Sequence, residues 1–157
     1  LGALRDAGPD RGCWTWWDRS QSPQTTGAVA RHQLQEVTVH TYDAQLAVGA
    51  PQPLPVAVAL DGVDEFLATC CAGDYRWPYE PATVDYQATE GRSWRLSLTA
   101  DGVPTGAPTS AAADAGLRGT AGELVLALYG RVPIDSLQVD GDRALFDRLL
   151  AWDPDES

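Results

Sequence analysis

Between residues 27 and 48, apolar and polar positions alternate with a helical period, and one line of that helix is polar where its neighbours are apolar. His32, Glu36, His40 and Asp43 share a single stripe of the predicted helix. Val37 and Ala44 flank it on one side, Val39 and Leu46 on the other, and Arg31, Thr38 and Thr41 fall on the back. The pattern predicts that the stripe runs down the middle of the packing face. Ionisable groups enclosed there must be paired, neutral or metal-bound, because desolvating a lone charge is costly. Thr25 or Thr26 supplies the start of this helix and Gly49 its stop.

The rest of the chain follows from its changes of period. Residues 1–26 read as loop, with Trp14, Trp16 and Trp17 beside Pro and Gly. That cluster either anchors the loop on a helical core or offers a ring, Trp16, to a ligand. Residues 50–55 are a proline-rich linker. Val56, Leu60, Val63 and Leu67 predict a second helix over 56–71, with Asp61, Asp64 and Glu65 facing away and Gly62 weakening it slightly. The period then falls to two. Residues 83–89 and 93–100 predict an antiparallel hairpin joined by Glu90-Gly91-Arg92, and a short strand is expected near Leu117. Thr120 with Glu123 forms a capping box for a helix that Gly130 ends. A strand over 136–139 precedes a last helix capped by Asp142 and carrying Leu145, Phe146, Leu149 and Leu150. Both helices should cover the hairpin's apolar face. The predicted fold class is α+β: part of a helical bundle over residues 1–72, then a small domain over 73–157 with an antiparallel sheet packed by helices.

Composition narrows the function classes. With 22 acidic against 11 basic residues and no lysine, the net charge of −11 disfavours nucleic acid and anionic membranes, both of which attract cationic surfaces. No apolar stretch is long enough to span a bilayer. Cys13, Cys70 and Cys71 are an odd set with two neighbours adjacent, which suits a reducing, cytoplasmic setting better than a disulfide framework. Leu1 and the absence of methionine suggest a piece of a longer chain.

Chemistry converges on the polar stripe. Glu36 and His40, four residues apart, can turn toward one divalent metal, whereas His32 lies too far along the helix to share that ion with His40. Asp43 could orient His40 as an outer acceptor. A catalytic zinc needs about three protein ligands, so Glu36 and His40 make half a site. The competing reading of the same residues is a hydrogen-bonded seam or a solvated cleft. Arg131, just after Gly130, either contacts an anion or faces the negative pole of its helix.

The run from Arg31 to Ala44 resembles the metal-site helix of the mycothiol-dependent maleylpyruvate isomerase family. The resemblance continues through Asp61 to Leu67, Gly119 to Ala121, Leu124 to Arg131, and Val139 to Leu149. It implies a DinB-like helical bundle with a small C-terminal domain, a zinc or similar divalent ion held by Glu36 and His40, and mycothiol as thiol co-substrate beside an organic substrate. His32 and Asp43 would support those ligands, and Arg131 and Trp16 would be possible ligand contacts. The family's third ligand is a histidine on an earlier helix, which the chain begins too late to contain; N-terminal helices or a partner chain are expected to supply it. Gln35-Glu36 stands where the family often has His-Glu. The expected function is a portion of a metal- and mycothiol-dependent isomerase or transferase. The alternative is a non-catalytic small-ligand-binding or protein-interaction module of the same fold.

Overall fold

The computed structural model describes residues 2–153. Thr25, in extended conformation, accepts a hydrogen bond from the Ala28 N–H at 3.3 Å and opens helix α2, Thr26–Ala47. The N-terminal segment departs from the loop expected of it. A short helix α1, Gly2–Ala7, precedes α2, and the Thr26 hydroxyl donates to the Gly8 carbonyl to join the two. Helix α3, Val56–Phe66, runs on into a five-residue π-helical turn, Leu67–Cys71, which closes with Ala72 N–H donating to the Leu67 carbonyl at 2.8 Å. The Thr120–Glu123 capping box forms and starts α4, Ala121–Leu128. Asp142 accepts from the Ala144 N–H at 3.0 Å at the head of α5, Ala144–Ala151.

Five strands form one sheet: β1 (Ala82–Ala88), β2 (Ser93–Leu98), β3 (Thr105–Gly106), β4 (Ala115–Gly119) and β5 (Gln138–Gly141), in the order β3-β2-β1-β4-β5. The β1–β2 hairpin is antiparallel, with Val84 opposite Leu96 and Tyr86 opposite Trp94. One pairing differs from the antiparallel sheet expected: β4 lies parallel to β1, Tyr86 opposite Leu117. Parallel partners need a crossover rather than a tight turn, and β2, β3 and the loop after them provide it. Tyr86 meets Phe146 of α5 edge-on at 6.3 Å, and Val84, Leu96, Leu98, Leu117, Leu124 and Leu145 join the same core, so the helices cover the hairpin. On the opposite face Asp85 and Arg95 are cross-strand partners joined by two hydrogen bonds of 2.6 and 2.8 Å. The architecture is α+β.

Helix α2 corrects the sequence reading of its packing face. Gln35 and Val39 are buried, but Val37 on the opposite flank is 63% exposed, and Leu46, two turns beyond Val39 on the same flank, is 50% exposed, so one flank is covered and only along part of its length. The reason is that α3 is a single narrow partner. It takes the flank containing Gln35 and Val39 and leaves the polar stripe at the rim of the contact rather than inside it. Arg31, placed on the back from sequence, instead donates to Asp61 at 2.9 Å and Asp64 at 2.8 Å. Asp61 and Asp64 are therefore the ionic seam between α2 and α3. Burial opposes charge on Asp64, yet hydrogen bonds from Arg31 and Trp94 and the nearby Arg92 guanidinium hold its carboxyl below the usual range. Glu65 is the larger correction. It does not face away but is 1% exposed, turned in toward α2. No helix among the described residues is long and apolar enough to cross a membrane, and the three cysteines are free thiols.

Candidate active site

Three segments bring ionisable side chains together. Helix α2 contributes His32, Glu36, His40 and Asp43; α3 and its π-helical turn contribute Glu65, Thr69 and Cys70; the end of α4 contributes Tyr129 and Arg131. The last is aimed by a Schellman turn. Gly130, at φ 70°, takes the left-handed conformation in which a glycine has no Cβ to clash. Its N–H then donates to Ala127 at 2.9 Å and the Arg131 N–H to Leu126 at 2.7 Å. The chain doubles back, and the Arg131 guanidinium reaches Asp43 with two hydrogen bonds, 3.1 and 2.8 Å.

Along α2 the contacts are graded. His40 Nδ1 is 3.1 Å from Asp43 Oδ2, and His40 Nε2 is 3.5 Å from Glu36 Oε2. On the other side Glu36 Oε1 is 3.8 Å from His32 Nε2, while His32 Nδ1 is 2.9 Å from Glu65 Oε1. Glu36 thus stands between two imidazoles, and each imidazole has a carboxylate on its far nitrogen. Exposure rises in step, from 12% for the His32 side chain through 34% for Glu36 to 64% for His40. Trp17 and Trp16 close over the inner end, their rings 5.2 and 5.8 Å from that of His32. Trp17 is the buried loop anchor, its indole N–H donating to the Pro23 carbonyl at 3.3 Å, whereas Trp16 is half exposed.

Sequence reasoning missed Glu65 and Tyr129. The Thr69 hydroxyl donates to Glu65 Oε1 at 2.9 Å, yet Glu65 Oε2 and the Tyr129 hydroxyl are enclosed with no hydrogen-bond partner among the described residues. Burial, then the charges of Glu65, Cys70 and Glu36, push the Tyr129 phenol well above its ordinary value, against the pull of Arg131. Burial, with Cys71, Glu65 and Glu36 adding to it, does the same to the Cys70 thiol. Both therefore remain protonated donors facing an acidic cluster. The local signal for Glu65 is its helical spacing from Gly62 and Thr69, three and four residues away on one face.

The carboxyl of Asp43 is held below the usual range chiefly by the Arg131 hydrogen bonds, with burial opposing and His40 assisting. Its carboxyl carbon should titrate below the ordinary aspartate range in an NMR series, and Arg131→Ala should raise that midpoint. A midpoint indifferent to Arg131 would mean that the pair does not persist in solution.

Glu36 and His40 approach one another, but His40 turns its second nitrogen to Asp43, and no group of three His, Cys, Asp or Glu side chains among the described residues can hold an ion. Two ligands do not make a catalytic set, so the described residues do not fit a metal on their own.

An α+β protein with a histidine–carboxylate cluster on its long helix, bridged by an arginine from the end of α4, defines the class. Within that class the comparison with family models is direct. The model described as the mycothiol maleylpyruvate isomerase N-terminal domain matches residues 1–45, and that of the MDMPI C-terminal domain matches residues 57–148. The chain belongs to the mycothiol maleylpyruvate isomerase family. Among solved structures it is similar to a double mutant of the sec-alkyl sulfatase PisA1, at 15% identity and a TM-score of 0.48. That match covers 82% of this chain and 24% of the sulfatase, so the chain spans about a quarter of that protein's length. The comparison with curated proteins returned no match.

Proposed function

We propose that this chain is part of a mycothiol-dependent isomerase or transferase acting on a small organic molecule. One observation carries the reading: residues from both family matches meet in one polar cluster. The N-terminal match supplies His32, Glu36, His40 and Asp43, and the C-terminal match supplies Glu65, Tyr129 and Arg131.

The cluster suits thiol chemistry. A thiol attacks as its thiolate, so a base must take the proton and hold it. Glu36 with its two flanking imidazoles is that base, and Asp43 and Glu65 fix the rings from behind. Arg131 places a cation at the rim, where a substrate carboxylate or a developing negative charge would be stabilised. Trp16 offers an aromatic wall. Zinc or a similar divalent ion at Glu36 and His40 would require a third ligand beyond the described residues, from N-terminal helices or a partner chain, and no step above depends on it.

The test is turnover of maleylpyruvate by the protein with and without mycothiol, together with calorimetric titration of mycothiol alone. The reading expects consumption only when mycothiol is present, and its loss in Glu36→Gln by about 100-fold or more. Mycothiol that binds without accelerating anything would favour a non-catalytic ligand-binding module. No binding and no acceleration would defeat both.

A further inference from the structure

A second concavity adjoins the polar cluster behind Phe66 and Cys70, between the π-helical turn, β1, α4 and α5. It has a volume of about 220 Å³, and its walls include Phe66, Cys70, Cys71, Tyr86, Phe146 and Trp152. Apolar atoms dominate the lining. A cavity of roughly 150 Å³ lined by Leu, Ile and Phe already takes up benzene, so the space suffices for a ring with a small substituent.

Two features set it apart from a packing defect. The first is the backbone. The π-helical turn, with its Ala72-to-Leu67 hydrogen bond of 2.8 Å, adds a residue to the end of α3 and brings two sequence neighbours, Cys70 and Cys71, to the same wall. Such single π turns are rare and collect at functional sites. The second is an orphan donor. The Trp152 indole nitrogen is enclosed without a hydrogen-bond partner among the described residues. An enclosed donor with no acceptor is unfavourable; a ligand oxygen would remove the penalty by drawing the indole nitrogen, closed to a water-sized contact as the ring stands, round toward the space.

The lining also sets the ligand's charge. Burial pushes the Cys71 thiol up to about 12 and raises Cys70 and Tyr86 further, so all three stay neutral. Among the described residues no cation lines the space to pair with an anion. Leu150, which also lines it, is 60% exposed and marks the open side.

We propose that this cavity is a binding site for a compact, neutral, largely apolar molecule carrying one hydrogen-bond acceptor, the size of a substituted single ring. The site shares Cys70 with the edge of the polar cluster, but its ligand takes no part in the thiol chemistry proposed there.

Acetophenone, benzene and benzoate are suitable probes: a ring with an acceptor, a ring without one, and a ring with a charge. In ¹H–¹⁵N NMR of the protein, acetophenone should shift the Trp152 indole N–H saturably, with the resonance assigned through Trp152→Phe. That variant keeps an aromatic ring and should weaken acetophenone about 2- to 10-fold, the worth of one hydrogen bond, while benzene binds unchanged. Leu149→Trp should fill the space and weaken both at least about 10-fold. Benzoate should leave the lining resonances where they are. No saturable shift with acetophenone or benzene at millimolar concentration would overturn the site. Benzoate binding as well as acetophenone would overturn the neutral ligand class, and acetophenone binding unaffected by Trp152→Phe would overturn the role of the indole.

Discussion

Replacing Gly62 with leucine should leave the protein unable to fold, and even Gly62→Ala should lower its stability by about 1–3 kcal/mol. A glycine in the middle of a helix is ordinarily a liability, and alanine there gains roughly 1 kcal/mol. Here the surroundings reverse the sign. A Cβ on Gly62 would lie 2.5 Å from the side-chain oxygen of Gln35 and 3.0 Å from a methyl of Val125. Gln35 is fully buried, and its amide nitrogen donates to Asp61 at 3.0 Å, so it cannot swing aside without leaving an enclosed polar group unpaired. Gly62 is thus where α3 touches α2 on one side and α4 on the other. Urea unfolding would measure the effect. An alanine variant as stable as the parent would mean that the three helices approach less closely than described.

With the proposed function, Arg131→Ala should lower mycothiol-dependent turnover on the order of 100- to 1,000-fold, as the loss of one preorganised donor does elsewhere. Stability should change little, because the pair is partly exposed and solvent screens it. The argument is geometric. The two hydrogen bonds from Arg131 hold Asp43, Asp43 in turn faces His40, and His40 faces Glu36. Removing the guanidinium releases that chain at its outer end and takes the cation from the rim. Arg131→Lys keeps the charge but cannot make the two-pronged contact, so it should restore only a part. Turnover in Arg131→Ala equal to the parent would show that the arginine serves structure alone.

Features set by neighbours in sequence were legible in advance. The capping box of Thr120 and Glu123, the Gly130 stop and the β1–β2 hairpin each depend on residues within a few positions of one another. So does the spacing that puts Glu36, His40 and Asp43 on one line. What was not legible depends on partners far along the chain. Glu65 was read as solvent-facing because Asp61 and Asp64 flank it, and its burial follows from His32 on another helix. The true packing flank of α2 was hidden for a related reason: apolar residues lie on both sides of the stripe, and only the position of α3 decides which side is covered. The parallel pairing of β4 with β1 has no local signature, since its partners lie some thirty residues apart.

That pairing bears on how the chain reaches its native state. β1 is the middle strand, and one of its edges stays unpaired until β4 arrives, after the residues of β2, β3 and the following loop have been made. During synthesis the finished hairpin therefore shows an open edge strand with one apolar face, of the kind that adds onto other chains. Loops of this length close late, after local contacts have formed. Refolding at high protein concentration is accordingly a contest between β4 and a neighbouring molecule for the same row of backbone groups.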